Sequence, residues 1–209
     1  MPGSYRLRPP APLAASALAL ALVLGPALAG CEAAASGAGG GGGFVAGRSG
    51  LDTVPLDVRR PAPAVSGKDL QDRPLALADF RGQVVVVNVW SSWCSGCRAE
   101  AAGLEEVFRR HQGQGVQFVG INTAEPEAVN ARRFEQTHGL TYPSLYDPDG
   151  SQVLRFPKGS LNPQSLPCTL VIDRQGRLAA RALRALSADD VEALLAPVLA
   201  EQTFRAEPS

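Results

Sequence analysis

Two apolar runs rich in β-branched residues, Val84 to Trp90 and Val116 to Ile121, lack the alternation of a half-exposed strand. Such runs predict central strands covered on both faces. Between them, Cys97 to Gln112 sets Ala101, Leu104, Val107 and Phe108 on one face and Arg98, Glu105, Arg109 and Gln112 elsewhere, an amphipathic helix. The three segments form a strand-helix-strand unit, for which a right-handed crossover is expected. Glu125 to His138 reads as a second helix that stops at Gly139, a C-cap residue. Cys168 to Ile172 is a further apolar strand, and Asp173-Arg174-Gln175-Gly176 turns it into an antiparallel partner, Arg177 to Leu183. Ser187 and Asp190 match a capping box, opening a last helix with the stripe Val191, Leu194, Leu195, Val198 and Leu199. The predicted class is α/β, a central mixed β-sheet flanked by helices, with the helix Glu125 to His138 inserted between strands.

The N-terminal part follows a different pattern. Arg6 and Arg8 precede an Ala/Leu-rich segment, Ala11 to Leu28, that ends in Leu28-Ala29-Gly30-Cys31. This resembles the lipobox of bacterial lipoprotein signal peptides, which implies that residues 1–30 are a signal, that the chain is cut before Cys31, and that Cys31 carries the lipid. Two other readings stay open: ordinary cleavage after Ala27-Leu28-Ala29, and an uncleaved anchor, the latter opposed by Pro12, Gly25 and Pro26. All three place the rest of the chain outside the cytosol. Residues 31–55, with the run Gly39 to Gly43, lack apolar periodicity and read as a flexible tether with ends on the order of 25–30 Å apart. Residues 56–209 then suffice for one domain. With 20 basic residues against 20 acidic ones, no basic excess suggests nucleic acid.

Chemistry concentrates in Trp93-Cys94-Ser95-Gly96-Cys97, which puts two thiols at the start of the first helix. Free N–H groups and the helix dipole favour a thiolate at Cys94, making it the expected nucleophile. Cys97, one turn further in, suits attack on a mixed disulfide held by Cys94. Half of a zinc site is a competing reading, but only His111, His138, Cys31 and Cys168 could add ligands and none forms a second close pair. A structural staple is another, although a bridge across two residues closes almost no loop. No metal and no cofactor is expected.

Asn88-Val89-Trp90-Ser91-Ser92-Trp93-Cys94-Ser95-Gly96-Cys97-Arg98-Ala99-Glu100 resembles the active-site segment of TlpA/ResA-type thioredoxin-like proteins. So do Leu77 to Gly82 before the first core strand, Leu140 to Asp147 after the inserted helix, and Leu166 to Asp173. The resemblance runs from Leu56 to about Glu201 and implies a thioredoxin-like fold and thiol-disulfide exchange. It also implies a cis peptide at Pro167 facing the two cysteines, with nearby backbone that pairs with the substrate chain. Glu100 corresponds to a glutamate that would exchange a proton with Cys97; the bland alternative is a solvated helix residue.

Three departures bear on redox poise. Asn88 stands where thioredoxin has a buried aspartate, Ser95-Gly96 replaces the family's proline-containing dipeptides, and Cys168 replaces Thr or Ser after the proline. Cys168 reads either as a third redox thiol or as a small buried apolar residue. Potentials in such proteins run from roughly −270 mV, a reductant, to −120 mV, an oxidant. The resemblance points to a lipid-anchored reductase at the outer face of the cell membrane. It would act on extracytoplasmic protein disulfides, apocytochrome c first among them, and be recharged by a membrane dithiol donor of the CcdA/DsbD type. A disulfide-forming oxidase and a copper carrier for oxidase assembly are the alternatives, the second weakened because Met1 is the only methionine. No peroxidatic cysteine motif precedes the pair.

Overall fold

A computed structural model of the chain describes residues 42–201. The expected signal segment and Cys31 lie outside them. In chain order the elements are β1 (Leu51–Thr53), β2 (Ser66–Lys68), β3 (Pro74–Ala76), β4 (Val84–Trp90), α1 (Ser95–His111), β5 (Val116–Thr123), α2 (Ala128–His138), β6 (Ser144–Asp147), β7 (Cys168–Ile172), β8 (Leu178–Ala182) and α3 (Ala188–Ala200). Six strands form one sheet in the order β1-β8-β7-β4-β5-β6, and β2 with β3 makes a separate hairpin.

The sheet is mixed, as expected. β4 pairs parallel with β5 and antiparallel with β7, and β5 pairs parallel with β6. Every residue of β4 is buried, because side chains of successive residues enter two different cores. Val84 and Val86 pack with Leu104, Val107 and Phe108 of α1 and Leu194 and Leu195 of α3. Val85, Val87 and Val89 pack on the other side with Phe44, Val65, Leu145 and Phe156. The alternation assigns Asn88 to the side of α1, which decides its partners below.

Helix ends follow local chemistry. Gly139 caps α2 with φ of 67°, a left-handed conformation that glycine adopts without steric cost. At α3 the capping box is complete: Ser187 Oγ accepts from the Asp190 N–H, and Asp190 accepts from the Ser187 N–H. Arg184 binds the same carboxylate through two nitrogens at 2.9 Å and holds its pKa well below the usual carboxylate range. Glu105, off the apolar stripe of α1, is nonetheless buried, since it accepts from Arg109 and from the backbone and hydroxyl of Thr141.

The folded part begins earlier than the apolar pattern suggests. Residues 42–55, read as tether, contribute β1 on the sheet edge and a bridge between Val45 and Thr53. Phe44 and Val54 are buried at 2% and 1% exposure, and the Arg181 guanidinium lies 4.2 Å from the Phe44 ring centre. Arg181 also pairs with Asp52 at 3.0 Å. Glycine-rich composition hides this segment because its anchors are single residues in contact with distant parts of the chain. Phe44→Ala should therefore cost about 3–5 kcal/mol in urea unfolding; a cost of about 0.5 kcal/mol or less, that of a surface change, would return the segment to a tether.

Candidate active site

The end of β4 delivers Cys94 to the N-cap of α1, where its backbone is extended, and Cys94 and Cys97 form a disulfide with Cα atoms 5.2 Å apart. Cys94 Sγ accepts a hydrogen bond from the Cys97 N–H at 3.1 Å. That donor is one of the unpaired N–H groups of the helix start, so the site holds a group ready to stabilise negative charge on sulfur. Both cysteines are buried, in a cluster with Leu70, Trp90, Ala101, Ala131 and Phe134. Trp90 and Phe134 stack with ring centres 4.6 Å apart, which fixes α2 beside the pair.

The loop before Cys94 is held by a set of bonds that the sequence did not reveal. The Glu125 carboxylate accepts from the Ser92 N–H at 2.7 Å and from Ser92 Oγ at 2.8 Å. Trp93, 58% exposed, donates its indole N–H to Ala124 O at 3.0 Å. Arg98 donates to Ser92 O at 2.8 Å, and Ser91 Oγ donates to Thr123 O. Glu125 lies 31 positions after Cys94 in the chain, so only the β4–β5 pairing brings the two loops together.

Pro167 sits against the start of α1. The Leu166–Pro167 peptide is cis, and a β-carbon placed on Gly96 would come within 2.8 Å of Pro167 Cδ and 3.6 Å of Ala185 Cβ. Glycine at 96 is thus what allows the proline ring to approach the cysteine pair so closely.

Glu100 is 1% exposed, far from a solvated helix residue. Asn88 Nδ2 donates to Glu100 Oε1 at 2.7 Å and to Thr169 Oγ1 at 3.2 Å, and the Leu186 N–H donates to Glu100 Oε2 at 3.1 Å. Burial opposes the charged form more strongly than these donors support it, and the carboxyl rises from 4.5 to about 7. The nearby Tyr142 hydroxyl is pushed well above its usual value, first by burial and then by the Glu100 charge, and stays neutral.

Cys168 is fully buried and takes the opposite side of the sheet from Thr169, packing with Val87, Val89 and Leu170. Burial, then the Glu100 charge, pushes its thiol up to about 12. This is the setting of a small buried apolar residue, with no thiolate at neutral pH. Among the described residues no group of three or more His, Cys, Asp or Glu is arranged to hold a metal, and no helix is long and apolar enough to cross a membrane.

Residues 58–181 match the model of the AhpC/TSA family. The chain belongs to that family. Similar proteins include the thiol-disulfide oxidoreductase ResA of Geobacillus thermodenitrificans, 30% identical over 131 residues, 63% of this chain and 72% of the relative. Among solved structures, a DsbF homologue from Corynebacterium diphtheriae superposes with a TM-score of 0.66 at 32% identity, covering 72% of this chain and 94% of that one. A secreted thiol-disulfide isomerase from Corynebacterium glutamicum gives 0.67 at 30% identity, covering 73% and 93%. This AhpC/TSA protein has the thioredoxin-like fold and is a thiol-disulfide oxidoreductase.

Two outcomes follow from the geometry. Between pH 4.5 and about 7 the folded protein keeps the Glu100 proton that the unfolded chain has lost, so the contribution of Glu100 to stability falls as pH rises through that window and is level on either side. Relative to Glu100→Gln, the oxidised wild type should lose on the order of 3 kcal/mol across it, read by urea unfolding at each pH; parallel curves would place the carboxyl in water. Gly96→Ala forces Pro167 or the start of α1 to shift, and should cost about 1–3 kcal/mol by the same measurement.

Proposed function

We propose that this protein reduces disulfides of extracytoplasmic proteins, tethered to the outer face of the cell membrane by a lipid on Cys31, with apocytochrome c as its substrate before haem attachment. The observation that carries the chemistry is the Cys97 N–H donated to Cys94 Sγ at the N-cap of α1. In the reduced protein that donor lowers the cost of a Cys94 thiolate, and Cys94 attacks one sulfur of the substrate disulfide. The first substrate sulfur leaves as thiolate and takes a proton, while Cys94 holds the second in a mixed disulfide. Cys97 then attacks Cys94 Sγ and releases that second sulfur. Two electrons and two protons pass to the substrate, and the pair ends as the disulfide.

Glu100 lies one turn along α1 from Cys97 and titrates near neutral pH, so it suits taking the proton that Cys97 must lose. Backbone beside Pro167 pairs with the substrate chain in the mixed disulfide. A membrane dithiol donor of the CcdA/DsbD type returns the pair to its reduced state. The names of relatives support an extracytoplasmic setting, since one solved neighbour is described as secreted. The same neighbour is described as an isomerase, which favours a second reading in which exchange runs toward disulfide formation or rearrangement.

Two measurements decide. Cys97→Ala should leave substrates covalently held on Cys94, and apocytochrome c should be among those recovered from membranes of cells making cytochromes; its absence from the trapped set would count against the substrate. The potential of the Cys94–Cys97 couple against glutathione should lie near that of thioredoxin, about −270 mV, whereas a value near −120 mV would reverse the direction.

A further inference from the structure

Next to the cysteine pair a cleft of about 270 Å³ opens, and α2 supplies most of its lining. Ser92 and Arg98 border it from the cysteine side, and Arg133, Phe134 and His138 come from α2. Ser92 is two residues before Cys94 and Arg98 directly follows Cys97, so two of the lining residues flank the cysteine pair in the chain. Its floor, Phe134, belongs to the same buried cluster as both cysteines and stacks on the His138 ring with centres 4.4 Å apart.

The charges in this cleft are of one sign. Arg133 is exposed and, among the described residues, its side chain makes no hydrogen bond or ion pair. Arg98 donates to Ser92 O and has no acidic partner among the described residues, which leaves most of its guanidinium free. No Asp or Glu lines the cleft. The adjacent Glu125 carboxylate is turned inward onto the Ser92 N–H, Ser92 Oγ and Asn122. The other two exposed arginines of α1 are paired with acids: Arg109 meets Glu105 and Arg110 meets Glu106 and Glu192. At the cleft the acidic partner is missing from the described chain.

The geometry points to a specificity subsite in which Arg98 and Arg133 bind an acidic side chain of the substrate polypeptide, next to its disulfide cysteine. A guanidinium fork matches a carboxylate in two parallel hydrogen bonds, and the apolar floor at Phe134 accepts the carbon stem of the acidic residue. This inference rests on the reading that Cys94 exchanges with polypeptide disulfides, and it holds for either direction of exchange because both pass through the same mixed disulfide. Substrates with acidic residues beside the cysteine are thereby captured faster than neutral or basic ones.

The test is single-turnover reduction by the full chain, reduced beforehand with dithiothreitol that is then removed. Three disulfide-bridged peptides are compared, with Glu, Gln or Lys flanking the cysteine that is attacked. At low salt the Glu peptide should react about tenfold faster than the Lys peptide, and 1 M salt, with a screening length of about 3 Å, should bring the ratio close to one. Arg133→Glu should lower the Glu-to-Lys ratio to one or below, and Arg110→Gln, about 18 Å along α1 from Arg98, should keep the wild-type ratio. A wild-type ratio near one, or a ratio indifferent to Arg133→Glu, overturns the subsite while the Gln peptide still reports exchange. Loss of binding to phosphatidylglycerol vesicles in Arg133→Glu, with the peptide ratio intact, would assign the cleft to lipid and overturn it too. Failure of the Gln peptide to react at all removes the exchange reading itself, and the subsite with it.

Discussion

One side-chain amide, that of Asn88, joins three elements on which the site depends. It lies in the middle of β4, and its Nδ2 donates both to Glu100 on α1 and to Thr169 on β7. β4 and α1 carry the cysteines, and β7 begins directly after Pro167. Glu100 extends the connection, because its second oxygen accepts the Leu186 N–H just before α3. A buried amide left without these partners would cost on the order of 1–3 kcal/mol, so the bonds specify register as well as position. A one-residue slip of β4 would send Asn88 into the apolar side packed by Val87 and Val89.

The same arrangement explains the unusual state of Glu100. A carboxylate with two donors would normally be held low, but burial outweighs them and leaves the group close to half-ionised at neutral pH. In the proposed mechanism this is the group that takes the proton from Cys97 once the mixed disulfide has formed. Cys168 illustrates the other outcome of burial. With no donor to offset it, its thiol is driven up to about 12 and stays protonated at neutral pH.

Around this centre the neighbouring loops are held by specific bonds. Glu125 clamps the loop before Cys94, leaving Trp93 exposed on an anchored backbone. Pro167 approaches from β7, permitted by Gly96. Arg98 of α1 and Arg133 of α2 border the cleft proposed to receive an acidic side chain of the substrate.

Much of this was legible in the chain. Buried parallel strands, amphipathic helices and the capping box at Ser187 are encoded over a few residues each, and hydrophobic periodicity with local capping chemistry determines them whatever lies elsewhere. The two cysteines at a helix start are equally local, as is the family resemblance that named Glu100 and Pro167. The short strands β1, β2, β3 and β6 were not legible, because runs of three or four residues carry no period and owe their pairing to the neighbours they meet. The fold also decided that Phe44 and Val54 belong to the core, that Asn88 faces Glu100, that Cys168 faces away, and that Glu125 reaches Ser92. Each of these depends on which side of a strand meets which distant segment. Spacing along the chain specifies a helix face or a strand period, but solvent exclusion between remote residues, and with it the charge state of Glu100, exists only once the sheet has assembled.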